Sequence, residues 1–414
     1  MMTPSRWLLL GSLYVTQYLG QGFFMIALVA IMRRSGAPLE QIGLVYLMGL
    51  CWLAKPLWAH YVDRVRLGRL GHYRGWLLAA QAGMVATLAA IGQLDVVRDF
   101  YVVLALCLVL ALLSATQDVA ADGLACLLLA PGQRGLGNGV QSAGGLVGNI
   151  LGGGAVLMAY PHVGWAGCLA ILAGGTSLSL LQLLFFQEPA GPERATGDTA
   201  RFRRIWLFWQ EPGRKSWMLV LLLAPCGCGI GYGLITPMLT DGGWSMERIG
   251  LVMNVGGSLV GVLAAALAGW GVRRLPRRTV LVAVLAYQAV GLAALLPIAE
   301  AGIGSSGILI SLTLFYLSPP AVMVIATTMI MDRASPQSPA TDYTLQYSLF
   351  HAAGYASAGV STVLAQYWGY SGATAAGVLA ALAALLAALR LGRGPAPALS
   401  REAVVVPVPV SEKG

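Results

Sequence analysis

The sequence is short of charge. Among 414 residues there are 26 Lys and Arg and 17 Asp and Glu, a charged fraction of 10%, where a soluble protein carries about 25%. That shortage excludes a soluble enzyme. It also turns the net charge of +9 away from nucleic acid and toward another explanation. Histidine is scarcer still, with four in all, and the six cysteines (51, 107, 126, 168, 226 and 228) lie in apolar segments with no CxxC among them. Neither a disulfide framework nor a metal centre is expected from them, and they read as small packing residues. The chain has no Walker A pattern, no Gly-x-Ser-x-Gly and no His-Glu-x-x-His. No loop is long enough for a nucleotide-binding domain, so no cofactor, catalytic residue or ATPase subunit is expected.

Apolar residues are what the chain has in excess. They make up 57% of it, mean hydropathy is +0.73, and runs of about 20 residues, the length of a membrane-crossing helix, recur throughout. Only helices satisfy their own backbone in lipid, and these runs are too long and continuous for barrel strands. The fold class expected is therefore an all-α polytopic membrane protein. Twelve spans are predicted, at 7–31, 42–58, 76–91, 100–129, 137–159, 165–186, 217–238, 249–270, 279–299, 307–331, 343–364 and 372–391. The first of them lacks a small-residue cleavage pattern and is interrupted by Gln17 and Gln21, so it is expected to stay as a span.

Twelve spans place 21 of the 26 Lys and Arg at the end that carries both termini; Arg33, Arg34, Arg98 and Arg248 fall at the other, and Lys55 lies inside span 2. By the positive-inside rule both termini are expected in the cytoplasm. The loop 187–216 divides the chain, giving a six-helix half at 1–186, a second at 217–391 and a Pro-rich disordered tail at 392–414. The loop's basic amphipathic piece, residues 201–209, is read as a helix at the anionic membrane surface or as a solvated linker. Gln141 and Gln346 lie 205 residues apart, each after a Pro-containing loop and each opening an odd-numbered span. This is a faint internal repeat of the kind that marks two parallel six-helix halves.

The stretch Ser114–Gly123 sets carboxylates into span 4. Asp118 and Asp122 are four residues apart and share a helix face. An Asp at mid-membrane costs about 2.5–3.5 kcal/mol on insertion scales and is a functional candidate by default. The pair is a candidate protonation switch, because a carboxylate in low dielectric is readily neutralised. Lys55 is a candidate counter-ion for either Asp, or else reaches out of the membrane along its own stem. Gln117 joins them, and Gln17, Tyr18 and Gln21 of span 1, Gln141 of span 5, Tyr232 of span 7 and Gln346, Tyr347 and His351 of span 11 are candidate pathway residues. Span 7, with its glycines and Pro237, is expected to bend or break. The glycines of 144–154 are expected to form a close helix-packing surface.

The loop after span 2 contains Ala59-His-Tyr-Val-Asp63-Arg64-Val-Arg66-Leu-Gly-Arg69. It resembles the signature loop of the major facilitator superfamily, with Ala59 in place of the usual first Gly and looser spacing to the later basic residues. The resemblance implies that Asp63, Arg64 and Arg69 form a cytoplasmic gate. In span 4, Ala115-Thr-Gln-Asp118 is similar to a pattern of the muropeptide and acetyl-CoA permeases, and Lys55-Pro-Leu-Trp-Ala, Arg74-Gly-Trp-Leu-Leu and the stretch opening at Ala340 fit the same branch. Asp122-Gly and the length of 414 residues resemble the bacterial siderophore permeases for ferric rhizobactin and ferric pyochelin. What the resemblance implies is a monomeric inner-membrane carrier that imports a ferric siderophore without ATP, coupled to protons. A muropeptide or other amphipathic-metabolite permease is the alternative within transport. A multi-spanning membrane enzyme is the rival class, and the nearly bare loops after spans 3, 5, 9 and 11 argue against it.

Overall fold

The computed structural model describes residues 2–35, 44–45, 47–68, 71–189, 203–211, 213–245, 248–249, 251–300 and 304–391, and among these it is built from helices alone. Nine helices in that set are long and apolar enough to cross a membrane. Two of the nine are really two spans each. The run ending at Phe185 turns at Gly164 (φ 66°), and the 52-residue run Pro339–Arg390 turns at Gly369 (φ 67°). Only glycine enters that left-handed region without strain, so one residue does the work of a loop. The expected loops 160–164 and 365–371 therefore shrink to corners.

In chain order, α1 runs Pro4–Gly22 and continues through a π-helical turn, Phe23–Leu28, to Val29–Arg34. Helix α2 comes in two pieces, Leu50–Ala54 and Pro56–Arg64, and supplies the twelfth span. Helix α3 is Tyr73–Ile91 and α4 is Phe100–Leu128. Helix α5 starts as Arg134–Asn149 and reaches Gly164 through a second π-helical turn, Ile150–Ala155, and α6 follows to Phe185. A linker helix, Arg203–Gln210, precedes α7, Arg214–Asp241. Helix α8 is a π-helical turn, Leu251–Gly256, leading into Gly257–Arg274, and α9 is Arg277–Ala293. Helix α10 is broken between Ser305–Tyr316 and Ser318–Arg333, just before the Pro319-Pro320 pair. Helices α11 and α12 flank Gly369.

The break expected in span 7 does not occur: α7 is one helix through Pro225 and Pro237. Two of its glycines face α11 instead, where a Cβ on Gly229 would lie 2.2 Å from the carbonyl oxygen of Gly354 and one on Gly233 would lie 2.6 Å from that of Ala358. The missing side chains let two backbones touch, and that contact splints the helix. The same device joins α1 to α5, where a Cβ on Gly152 would stand 2.1 Å from the Leu19 oxygen. The glycines of 144–154 are thus a packing surface.

Apolar packing falls into separate cores. One is built only from the first six spans, at the end away from the termini, around Phe23, Phe24, Leu88, Leu110 and Leu172. A counterpart from the last six spans lies around Leu234, Leu292 and Phe315. At the end that bears the termini the core is shared: Leu10, Tyr14, Ala125 and Leu129 pack with Trp217, Ile325, Tyr343 and Tyr347. Every hydrogen bond between the two sets of helices among the described residues lies at this end or just inside it, from Asp63, Pro131, Arg134, Asn138 and Gln141 to partners on α9, α10 and α11. The two halves are joined at their basic end and separate at the other.

Candidate transport site

Helix α2 breaks at Lys55 because Pro56 has no N–H to give to the carbonyl of Trp52. The interruption leaves the Lys55 side chain inside the bundle, 1% exposed, ion-paired to Asp118 of α4, itself 1% exposed. The second face of the ammonium meets the ring of Tyr347, 4.7 Å from its centroid, a cation–π contact strengthened by the burial of both groups. Of the alternatives open for Lys55, the geometry therefore has it paired, and with Asp118. Asp118 lies ten residues before the last residue of α4, about 15 Å along the axis.

One turn further on, Asp122 is equally buried and takes different partners. Its Oδ1 accepts from Gln141 Nε2 of α5 at 3.0 Å and from Tyr14 OH of α1 at 3.3 Å. Gln141 Oε1 in turn accepts from Tyr343 OH of α11 at 3.3 Å. Asp122 Oδ2 and Asp118 Oδ1 have no hydrogen-bonded heavy-atom partner of this kind. Five helices (α1, α2, α4, α5 and α11) thus meet at one polar cluster that joins both halves.

From the cluster an aromatic ladder rises along α11. Tyr343 and Tyr347 stack with centroids 5.5 Å apart, Tyr347 and His351 at 4.2 Å, and His351 meets Tyr355 at 6.0 Å. The four-residue spacing keeps successive rings in reach of each other. Exposure rises from Tyr343, fully buried, to Tyr355 at 67%. The ladder therefore leads from the closed end toward the separated end.

Most other predicted residues take partners outside this cluster. Gln117 is turned from its neighbour Asp118 toward α1, donating to the Leu13 carbonyl at 2.9 Å and to Thr16 Oγ1 at 3.1 Å. Gln346 accepts from Trp217 Nε1 at 2.6 Å and donates to the Asp342 carbonyl, binding α11 to α7. Tyr232 forms edge contacts with Phe315 and Tyr316, in the core of the last six spans. Gln17 is buried in α1 near Ser114, which donates to its backbone carbonyl. Tyr18 lies against Gly145, where a Cβ would come within 3.1 Å of its ring, and Gln21 is half-buried one turn on.

At the basic end, Asp63 closes the N-terminus of α11. Its carboxylate accepts from the Thr341 N–H at 2.6 Å, the Ala340 N–H at 3.2 Å and the hydroxyls of Thr341 and Tyr73. Negative charge at a helix N-terminus is favourable, and here the helix belongs to the opposite half. Arg64 is exposed, and Arg69 lies outside the described residues. Sequence reasoning missed a second latch: Asp332 of α10 bridges Arg134 of α5 (2.7 Å) and Arg277 of α9 (3.2 Å), while Arg277 also reaches the Pro131 carbonyl. Its signal was present, since Asp332 is the one carboxylate between Glu300 and Asp342 and stands next to Arg333 at the end of a span.

The family model of the Major Facilitator Superfamily matches residues 10–354. The chain belongs to that superfamily. It is a multi-pass membrane protein of the facilitator type. The anhydromuropeptide permease of Escherichia coli K12 is 28% identical over 254 residues, 60% of this chain. The chain spans about half the length of that relative, 51%. Among solved structures, the human organic anion transporter MFSD10 superposes with a TM-score of 0.69 at 18% identity, covering 94% of this chain and 100% of its own. A bacterial homologue of the iron transporter ferroportin, in its outward-facing state with soaked iron, gives 0.68 at 17% identity over 94% and 99%. At these identities the superpositions speak for the facilitator fold alone.

Proposed function

We propose that this facilitator carries a ferric siderophore of the pyochelin type across the bacterial inner membrane into the cytoplasm by alternating access, drawing on the proton gradient. The observation that carries the reading is the ladder of Tyr347, His351 and Tyr355 ending on the Lys55–Asp118 pair. Rings stacked at graded depth suit a flat heteroaromatic ligand, and a buried ammonium beside them suits its carboxylate or phenolate. The resemblance of Ala115–Asp118 and Asp122-Gly to the siderophore permeases supports the same substrate. In this reading the basic end faces the cytoplasm, so the carrier is closed inward and open to the periplasm. Residues 1–186 and 217–391 rock against one another, 187–216 is the cytoplasmic linker, and 392–414, outside the described residues, is a cytoplasmic tail. Asp118, Asp122, Lys55, Gln141, Tyr347 and His351 form the pathway, and Asp63 closes the gate.

A second reading, a muropeptide permease, is favoured by the name of the Escherichia coli relative. Uptake of labelled ferric pyochelin into spheroplasts with and without this chain separates the two. The expected result is uptake that requires the chain, collapses with an uncoupler and is indifferent to excess anhydromuropeptide. Equal uptake in both preparations overturns the substrate, and competition by the muropeptide transfers the assignment to the second reading.

A further inference from the structure

The buried cluster holds two carboxylates against one ammonium. Asp118, Asp122 and Lys55 are each 1% exposed, so fully ionised they leave one uncompensated negative charge in a dry site. Other titratable groups around them do not supply the missing charge. From α1 come Tyr14 and Tyr18, from α4 Cys126, and from α11 Tyr343, Tyr347 and His351; α5 offers only neutral Gln141. The next cation on α5, Arg134, is engaged by Asp332 at the basic edge.

The oxygens tell the same story. Asp118 uses Oδ2 for Lys55, and Asp122 uses Oδ1 for Gln141 and Tyr14. The two left over, Asp118 Oδ1 and Asp122 Oδ2, are buried with no N–H or O–H donor on them. The two carboxyl groups stand one turn apart on the same face of α4, which makes their side chains neighbours. Two acceptors facing each other without a hydrogen between them repel, and two carboxylates in contact do not both ionise.

We propose that Asp118 and Asp122 share a single proton, held between Asp118 Oδ1 and Asp122 Oδ2, in the closed-inward state. One proton satisfies both unpaired oxygens and brings the cluster of three charged groups to neutrality. Lys55 is its positioning residue: by holding Asp118 Oδ2 it leaves Asp118 Oδ1 to face Asp122. Tyr14 and Gln141 orient Asp122 from two further helices, so the proton is bound only while α1, α2, α4 and α5 keep this arrangement. The consequence is one proton bound per carrier in this state. This deepens the reading of the cluster as the transport pathway, but it does not depend on which solute is carried.

Infrared difference spectroscopy on the purified full-length protein at neutral pH tests it without any substrate. The expected spectrum has one protonated-carboxyl band from a buried group. Asp122→Asn, which preserves shape and an amide donor toward Asp118, should remove the band. Asp118→Asn should also remove it, because Asp122 then becomes the sole counter-ion of Lys55. Lys55→Met should double it, since both carboxyls are then neutral. Absence of the band in the unaltered protein, or its survival in Asp122→Asn, overturns the proposal. Survival in Asp118→Asn shows a proton held by Asp122 alone and overturns the shared arrangement. Should the Asp118 or Lys55 variant fail to fold, the unaltered protein and Asp122→Asn decide the matter between them. Because no ligand is added, failure here leaves the siderophore assignment standing, and failure of the uptake assay leaves the proton in place.

Discussion

Single residues decide whether the site is polar or dead, and adjacent ones do different work. Asp118 faces Lys55, while Gln117, next to it in the chain, is turned to the α1 backbone. Helical periodicity made the shared face of Asp118 and Asp122 legible from their spacing. It could not tell that Lys55 would choose the first Asp over the second, because that depends on how far along its axis α2 docks. Gln346 shows the same limit. A buried polar side chain in a span was read as pathway, yet its amide is spent holding Trp217. Reversing either charge of the buried pair puts like charges together in a dry site. Lys55→Asp and Asp118→Lys should each lower initial uptake by more than about tenfold, and the double exchange should recover a measurable part of it. No recovery would mean that the pair acts through something other than its mutual charge.

At the scale of elements, the helices are shaped by where they lack atoms. Pro56 interrupts α2 and delivers Lys55, and Gly164 and Gly369 turn the chain without a loop. Gly152 lets α5 lie on the α1 backbone. Two of the π-helical turns, Phe23–Leu28 and Ile150–Ala155, sit on these same two helices and pack together. Their loosened hydrogen bonding marks a place where α1 and α5 can bend. The cap that Asp63 places on α11 is worth about 0.3–2 kcal/mol by helix-terminus precedent, and it exists only while the halves are closed. Asp63→Asn keeps the shape and loses the charge. It should shift the population toward opening at the basic end, read as a longer spin-label distance between α2 and α11. An unchanged distance distribution would remove Asp63 from the gate.

Taken as a whole molecule, the facilitator has cores private to each half and cores shared between the halves, and this division sets what can move. The private cores around Phe24 and Phe315 lie wholly within one half and need not break. The shared cores, the Asp63 cap and the Arg134–Asp332–Arg277 latch must all part for the basic end to open. A covalent tie there should therefore stop the cycle. A Cβ on Gly135 would lie 3.3 Å from that of Val272, near the range of about 3.5–4.5 Å that a disulfide spans. Gly135→Cys with Val272→Cys is expected to cross-link on oxidation and cut net transport more than about tenfold, with ligand binding from the open side retained and transport restored by reduction. Transport that persists through full cross-linking would show that this end does not have to part.

The sequence by itself determined the solvent, the helices and their number. Those follow from local quantities: run length against bilayer thickness, the scarcity of charge, the asymmetry of Arg and Lys between loops, and a four-residue spacing that survives any packing. Its neighbours in the chain also singled out Asp63, through their resemblance to the facilitator signature loop. Tertiary structure decided everything that depends on two helices from distant parts of the chain meeting at one depth. It chose Asp118 for Lys55 and Gln141 for Asp122, spent Gln346 and Gln117 on internal packing, and set Asp63 on the first turn of α11, some 280 residues away. Register between helices is fixed by the sum of many small side-chain contacts along their whole length. No single stretch of sequence contains that sum.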